Sequence, residues 1–270
     1  MKINFLIDNK TENTSCTAEW GLAVLIETGN KKILMDQGSS PMLIANAAGM
    51  GIDLSEVDYA TVSHGHFDHS GGTEAFLEIN DKAKVYVHKD AFVPTVDLSD
   101  GMETGLPWGE DFMKKYSERI IKTEGTFRIE DGAWLVGDVP RAEGFEPTGI
   151  FHYRVGDEFF PDPMKHEQTL VIEENGKLNI FSGCSHQGIV PILKYIEKEF
   201  PGMKINALVA GMHLFSASRE QRLKVIKEIE KMGIEHIFPV HCTGMNAIID
   251  FKIMLGDKVE IASAGDTYEV

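Results

Sequence analysis

The chain has 270 residues, 43% of them hydrophobic and 25% charged, enough for one large α/β domain or two small ones with a sizeable core. Its formal net charge of −16 argues against nucleic acid as a partner, because gripping phosphate backbones takes a basic surface. Three cysteines (Cys16, Cys184 and Cys242) are too few for a disulfide framework and point to a reducing cytosol.

Lys2 to Asp8 reads as a first strand, and Asp8 interrupts the apolar run before a signal-peptide core is complete. No stretch approaches the ~20 apolar residues of a membrane span, so a soluble cytoplasmic protein without a membrane partner is expected. Thr11 to Cys16 is a polar loop. Leu22 to Thr28 and Lys32 to Met35 form a hairpin around Gly29-Asn30. Pro41 to Ala48 is predicted helical, with Gly49 as its stop, and Asp53 to Asp58 leads into a strand ending at Ser63. A short helix at Thr73 to Ile79 and a strand at Lys84 to His88 follow.

From about residue 90 to 163 Gly, Pro, Asp and Glu are dense and the periods are short, with Ala133 to Val136 as one clear strand. Such a stretch inside a compact domain reads as a lid-like insertion. No linker or repeat divides the chain, so residues 1–270 are expected to form a single domain. Thr169 to Ile172 and Leu178 to Phe181 make a second hairpin around Asn175-Gly176, and Gly188 to Phe200 and Ser218 to Met232 are amphipathic helices. Ser218 is placed to cap the latter and Gly233 to end it. Between and after them strands are predicted at Ala207 to Ala210, Glu235 to Val240, Val259 to Ala262 and Thr267 to Val270. Oligomeric state is not readable.

The chemistry is densest at Thr61-Val62-Ser63-His64-Gly65-His66-Phe67-Asp68-His69-Ser70-Gly71-Gly72. Three imidazoles and a carboxylate fall within six positions, at the end of an apolar strand and just before a helix. Imidazole and carboxylate suit Zn²⁺, Fe and Mn²⁺. His64 and His66, two apart, can point the same way on an extended backbone, and Asp68 and His69 follow where the chain must turn. Gly71 and Gly72 are expected to let the backbone pass close to the metals.

His64-Gly65-His66-Phe67-Asp68-His69 resembles the H-x-H-x-D-H signature of the metallo-β-lactamase superfamily. Gly21 to Leu25 and Lys32 to Gly38 look like that family's opening hairpin and D-x-G turn. Gly183-Cys184-Ser185-His186 and Pro239-Val240-His241-Cys242-Thr243-Gly244 are similar to a branch related to the methanopterin-pathway dihydropterin synthase. The resemblance implies an α/β fold, the four-layered αββα sandwich of the metallo-β-lactamase type. It specifies metal and fold far better than substrate.

Other polar residues recur just past apolar strands: Cys184 and His186, then His213, then His241. Three strands each ending in a histidine favour a convergent edge, with His186 and His241 as ligands. In the superfamily's commoner pattern Gly-Asp stands where Gly183-Cys184 stands here. Cys184 is therefore either a thiolate replacing that bridging carboxylate or a buried structural cysteine. His166 either supplies the usual third histidine or orients substrate. His213 is read as a general acid or oxyanion donor beside the metals, with a core histidine as the alternative. Asp36 either hydrogen-bonds the metal-binding loop or shapes its own turn. His88, His152 and His236 are expected at the surface or in the lid, and Cys16 and Cys242 carry no assigned role.

The leading expectation is a dinuclear metal-dependent hydrolase holding two divalent ions, zinc first, with iron or manganese also compatible. His64, His66 and His186 would hold one ion, Asp68, His69 and His241 the other, with Cys184 between or beside them. A water shared by two cations loses its proton near neutral pH and becomes the nucleophile, and Asp68 or His213 handles the proton. The branch resemblance suggests a small anionic substrate, phosphorylated or pterin-like. Lys114, Arg119, Arg141 or Arg154 could clamp its anionic end, and Trp108 or Phe145 could stack on a ring. A transferase joining a pterin methyl group to an aminobenzene ribosyl phosphate, with diphosphate leaving, is the alternative. A non-catalytic metal-bound sensor is the third.

Overall fold

The computed structural model describes residues 1–142, 144 and 151–270. Two compact units emerge, one from residues 1–124, 151–166 and 263–269, the other from residues 125–142, 144 and 167–262 with Val270.

The first unit is built on a seven-stranded sheet in the order Thr267–Glu269, Lys2–Ile7, Ala23–Thr28, Lys31–Met35, Tyr59–Thr61, Lys84–His88, Ile120–Thr123. Pairing is antiparallel through the opening hairpin, where Leu25 faces Leu34, and parallel from Lys31–Met35 onward. The parallel part needs crossovers, and helices Met42–Gly49 and Thr73–Ile79 provide two of them. Leu43, Ala47, Phe76 and Leu77 of these helices join Leu25, Leu34, Ala60 and Val85 in one buried cluster. Each fully buried Leu or Phe contributes about 1.5–3 kcal/mol.

A four-stranded sheet, Glu158–Pro161, Phe151–Val155, Thr95–Asp97 and Met102–Glu103, belongs to the same unit. Much of the stretch read as an irregular insertion is therefore regular, including helix Glu110–Tyr116 and the edge strands Ile120–Thr123 and Thr126–Glu130. These strands are two to five residues long and several are exposed along most of their length, so no hydrophobic period announces them.

The second unit has a six-stranded sheet, His236–Pro239, Lys204–Ala210, Lys177–Ser182, Gln168–Glu174, Ala133–Gly137, Thr126–Glu130. Its first three strands are parallel and the rest antiparallel. Helices Ile189–Glu199, Arg219–Lys231 and Met245–Leu255 bury Ile192, Ile196, Ile226, Ile229 and Phe251 in its core. Ser218 caps the second of these in a full capping box with Gln221. The strand expected at Val259 to Ala262 shrinks to one bridge, Ile237 with Val259, supported by the Glu260 N–H donating to Ile237 O. Among the described residues no helix is long and apolar enough to cross a membrane.

Candidate metal centre

In the first unit the histidine-rich turn starts where the strand Tyr59–Thr61 runs out, and Asp36 holds it from behind. Asp36 ends the neighbouring strand in the left-handed region, at φ 56°. Its fully buried carboxylate accepts the Ser63 N–H at 2.7 Å, the Ser63 hydroxyl at 2.8 Å and the His69 Nδ1–H at 2.6 Å. Of its two expected roles, Asp36 thus performs the first. Having given its only proton to Asp36, Ser63 Oγ accepts from His64 Nδ1 at 2.9 Å. Both His64 and His69 are thereby set with Nε2 as the lone-pair nitrogen, the arrangement ligating histidines need.

His64 Nε2 lies 3.0 Å from His66 Nδ1. Two imidazoles on one zinc, each ~2.0–2.1 Å from it, have their nitrogens roughly 3.3 Å apart, so the pair is spaced for a shared cation. Burial, with His166 close by, depresses the His66 pKa to about 3 and keeps the ring neutral. Asp68 is buried, with Oδ2 3.7 Å from His69 Nε2.

His166 differs from the others. Its Nδ1 accepts the Gly65 N–H at 3.0 Å and its Nε2 faces Asp162 Oδ2 at 3.2 Å. With both ring nitrogens engaged inside the protein, it ties down the loop. Burial pushes the Asp162 carboxyl up, but the His166 hydrogen bond and charge and the Met164 N–H outweigh it, leaving Asp162 below the usual carboxylate range. Gly71 and Gly72 lie against the Asp36 loop. A Cβ at Gly71 would sit 2.0 Å from Ser39 O, and one at Gly72 2.3 Å from Gln37 O, so both glycines admit the Asp36 loop.

In the second unit Cys184, His213 and His241 follow three different strands, Lys177–Ser182, Lys204–Ala210 and His236–Pro239. Ser185, His213 and His241 take φ of 56°, 48° and 49°, so a left-handed residue turns the chain after each strand. Such conformations cost of order 1–3 kcal/mol each and gather at functional sites. Ser185 Oγ donates to Gly211 O at 2.6 Å and accepts from Ser182 Oγ at 2.9 Å, locking two of these strand ends together. Glu167 accepts the backbone N–H groups of His186 (2.5 Å) and Gln187 (2.7 Å), and the His186 and His213 rings lie 4.7 Å apart.

Donor atoms of Cys184, His241 and Cys242 all lie within 4.8 Å of one another and all three residues are buried. Cys242, to which the sequence assigned no role, accepts the His213 N–H on Sγ at 3.3 Å. Burial opposes its ionisation, but contact with Cys184, the charges of His241 and His213 and that N–H prevail and bring the thiol down to about 5. A Cβ on Gly211 would meet Cys242 Sγ at 2.9 Å, so the missing side chain there makes room for the sulfur. Buried imidazoles together with an acidified thiol form a donor set that fits a zinc-like cation.

Ser63, Asp162, Glu167 and Cys242 escaped the sequence reading, since nothing local distinguishes a polar residue that props a ligand from one that faces water. His88, expected at the surface, is fully buried, with Nδ1 accepting the Asp90 N–H at 3.3 Å. Of the four candidate anion clamps, Arg119 is spent on the carbonyls of Leu77, Asn80 and Ala83, and Lys114 pairs with Glu110 and Asp111 on its own helix. Arg141 and Arg154 are exposed. Phe145 lies outside the described residues.

Buried imidazoles, thiols and a carboxylate at the strand ends of an α/β chain are donor groups that could hold a metal ion. The chain belongs to the metallo-β-lactamase superfamily, whose sequence profile matches residues 20–193, and it has that superfamily's α/β fold. It is 29% identical to the 7,8-dihydropterin-6-methyl-4-(β-D-ribofuranosyl)-aminobenzene-5′-phosphate synthase of Methanocaldococcus jannaschii, over 94% of this chain and 90% of that protein. An uncharacterized protein of the same organism is also 29% identical, over 91% of this chain and 92% of its own length. The crystal structure of a metal-dependent hydrolase of the β-lactamase superfamily superposes with a TM-score of 0.85 at 30% identity, covering 100% of this chain and 99% of the other.

Proposed function

We propose that the protein is a metal-dependent hydrolase with a dinuclear centre, zinc being the first choice of metal, acting on a small phosphorylated or pterin-like metabolite. The observation that carries this reading is the Asp36–Ser63–His64 and Asp36–His69 relay, which holds two neighbouring imidazoles in fixed orientations. His64, His66 and His186 are assigned to one ion and Asp68, His69 and His241 to the second, with Cys184 as a thiolate between or beside them. Bound ions of this kind supply Lewis acidity, which polarises a carbonyl or phosphoryl oxygen and makes a water nucleophilic near neutral pH. Asp68 and His213 are the groups assigned to hold and pass the proton. The two compact units are read as a single functional domain in the cytosol, with neither nucleic acid nor membrane as partner.

Elemental analysis should find about two ions per chain. A His66→Ala protein should lose both metal and turnover, and retention of both would remove the ligand assignment. The synthase named among the relatives favours a second reading, transfer of a pterin methyl group to an aminobenzene ribosyl phosphate with diphosphate as leaving group. Turnover in ¹⁸O-labelled water separates the two. Solvent oxygen in the product supports hydrolysis, and its absence supports transfer.

A further inference from the structure

The first unit contains a groove of about 590 Å³, within the ~300–1,000 Å³ range of small-molecule sites. One wall is Phe67, the residue between His66 and Asp68, so the groove opens beside the histidine-rich turn. Two further contacts tie segments next to the lining residues to that turn. The Phe67 N–H donates to Thr104 O at 3.0 Å, and the Phe151 ring lies 4.5 Å from the His66 ring.

Trp108 forms a second, rigid wall. Its indole stacks on Phe112 at 4.8 Å with only 21° between the planes, Phe92 meets it edge-on at 6.1 Å, and its Nε1–H donates to Ser70 O at 3.3 Å. An aromatic face held in this way loses little entropy when a flat ring settles on it. Across from these residues in the sequence, the hairpin Phe151–Pro161 contributes Phe159, 45% exposed, and Arg154. Arg154 makes no ion pair among the described residues, in a chain with 42 acidic side chains. Glu103 also lines the groove and is suited to accept N–H donors from a heterocycle.

We infer that this groove is the ring-binding part of the substrate site, taking a planar heteroaromatic ring against Phe67, Trp108 and Phe159 with an anionic substituent at Arg154. The inference rests on the small-molecule reading above and narrows it to one substrate class. A guanidinium at the edge of an aromatic-lined groove recognises a carboxylate or phosphate by charge-assisted hydrogen bonds, while the apolar walls select for the ring.

The test is calorimetric titration of the full-length, zinc-loaded protein with pterin-6-carboxylate and with uncharged pterin. Arg154→Ala should weaken the carboxylate probe about tenfold and leave uncharged pterin unchanged. Phe159→Ala should weaken both probes several-fold. Both side chains are exposed, so the variants should keep the wild-type circular dichroism. Unchanged affinities in both variants, or no binding of either probe to the wild type, would overturn the inference. So would a Phe159→Ala protein whose sedimentation changes at constant probe affinity, since the groove would then be a contact between copies. Failure here is separable from failure of the hydrolase reading: turnover of an aliphatic phosphate without pterin binding sinks only the groove, and Arg154-dependent pterin binding without metal-dependent turnover sinks only the hydrolase.

Discussion

The two units supply donors in opposite ways. In the first, His64, His66, Asp68 and His69 come from one turn, and a single carboxylate, Asp36, fixes Ser63 and His69 and, through Ser63, His64. In the second, Cys184, His213 and His241 each end a different strand, with a left-handed residue at or next to every one. The first arrangement concentrates its geometry in one hydrogen-bonded knot. The second spreads it over the register of a parallel sheet, where Ser182 pairs with Ala210 and Ala210 with Pro239. The lesson is that the local set should fail all at once when its anchor is removed, and the distributed set should fail one donor at a time.

The largest expected effect tests the first half of that statement. Asp36→Ala strands two buried groups of Ser63 and the Nδ1–H of His69, and should cost about 3–5 kcal/mol in urea unfolding. Metal affinity should fall 10- to 100-fold at the same time. A stable Asp36→Ala protein with full metal content would break the comparison. Next comes pH. Burial holds His66 neutral in the folded chain down to about 3, whereas the unfolded chain takes up its proton near 6.5. Protons therefore bind the unfolded state preferentially within that window. The metal-free protein should lose stability as pH falls from about 6.5 towards 3, by up to ~1.4 kcal/mol per unit, and His66→Asn should flatten that slope in thermal melts.

The distributed half is sharpened by Cys184→Ser. If the thiolate is a ligand, cadmium affinity should drop about tenfold while manganese affinity holds, because only the soft donor has been removed. Equal losses for both ions, or none, would return Cys184 to a packing role. The smallest effect is a control at an exposed helix cap that belongs to neither donor set. Ser218→Ala removes the capping box of Arg219–Lys231 and should cost about 1 kcal/mol without changing metal content.

The contrast also explains which features could be read from the chain alone. Helix Arg219–Lys231 was legible because its cap Ser218, its apolar stripe and its stop Gly233 follow one another in the sequence, and Thr73–Ile79 and Ile189–Glu199, which lack side-chain caps, because their apolar residues are just as local. The histidine-rich turn was legible for the same reason. The edge strands around residues 95–161 were not, since they are short and several of them are largely exposed, leaving no apolar alternation to read. Nor was helix Met245–Leu255, whose Met-Asn-Ala-Ile-Ile-Asp-Phe-Lys-Ile-Met-Leu run mixes apolar and polar residues without a clean stripe.

By itself, then, the sequence determined the family, the α/β class and the cluster His64 to His69, because each is encoded by residues close together in the covalent order. Only the tertiary structure decided that Asp36 anchors that cluster, that His166 and Arg119 are consumed by internal hydrogen bonds, and that Cys242 lies beside Cys184 and His241. The physical reason is that a hydrogen bond is chosen by distance and direction in space. Partners 33, 58 or 101 positions apart, such as Asp36 with His69, Cys184 with Cys242 and Gly65 with His166, are brought within reach only when the sheets set their register.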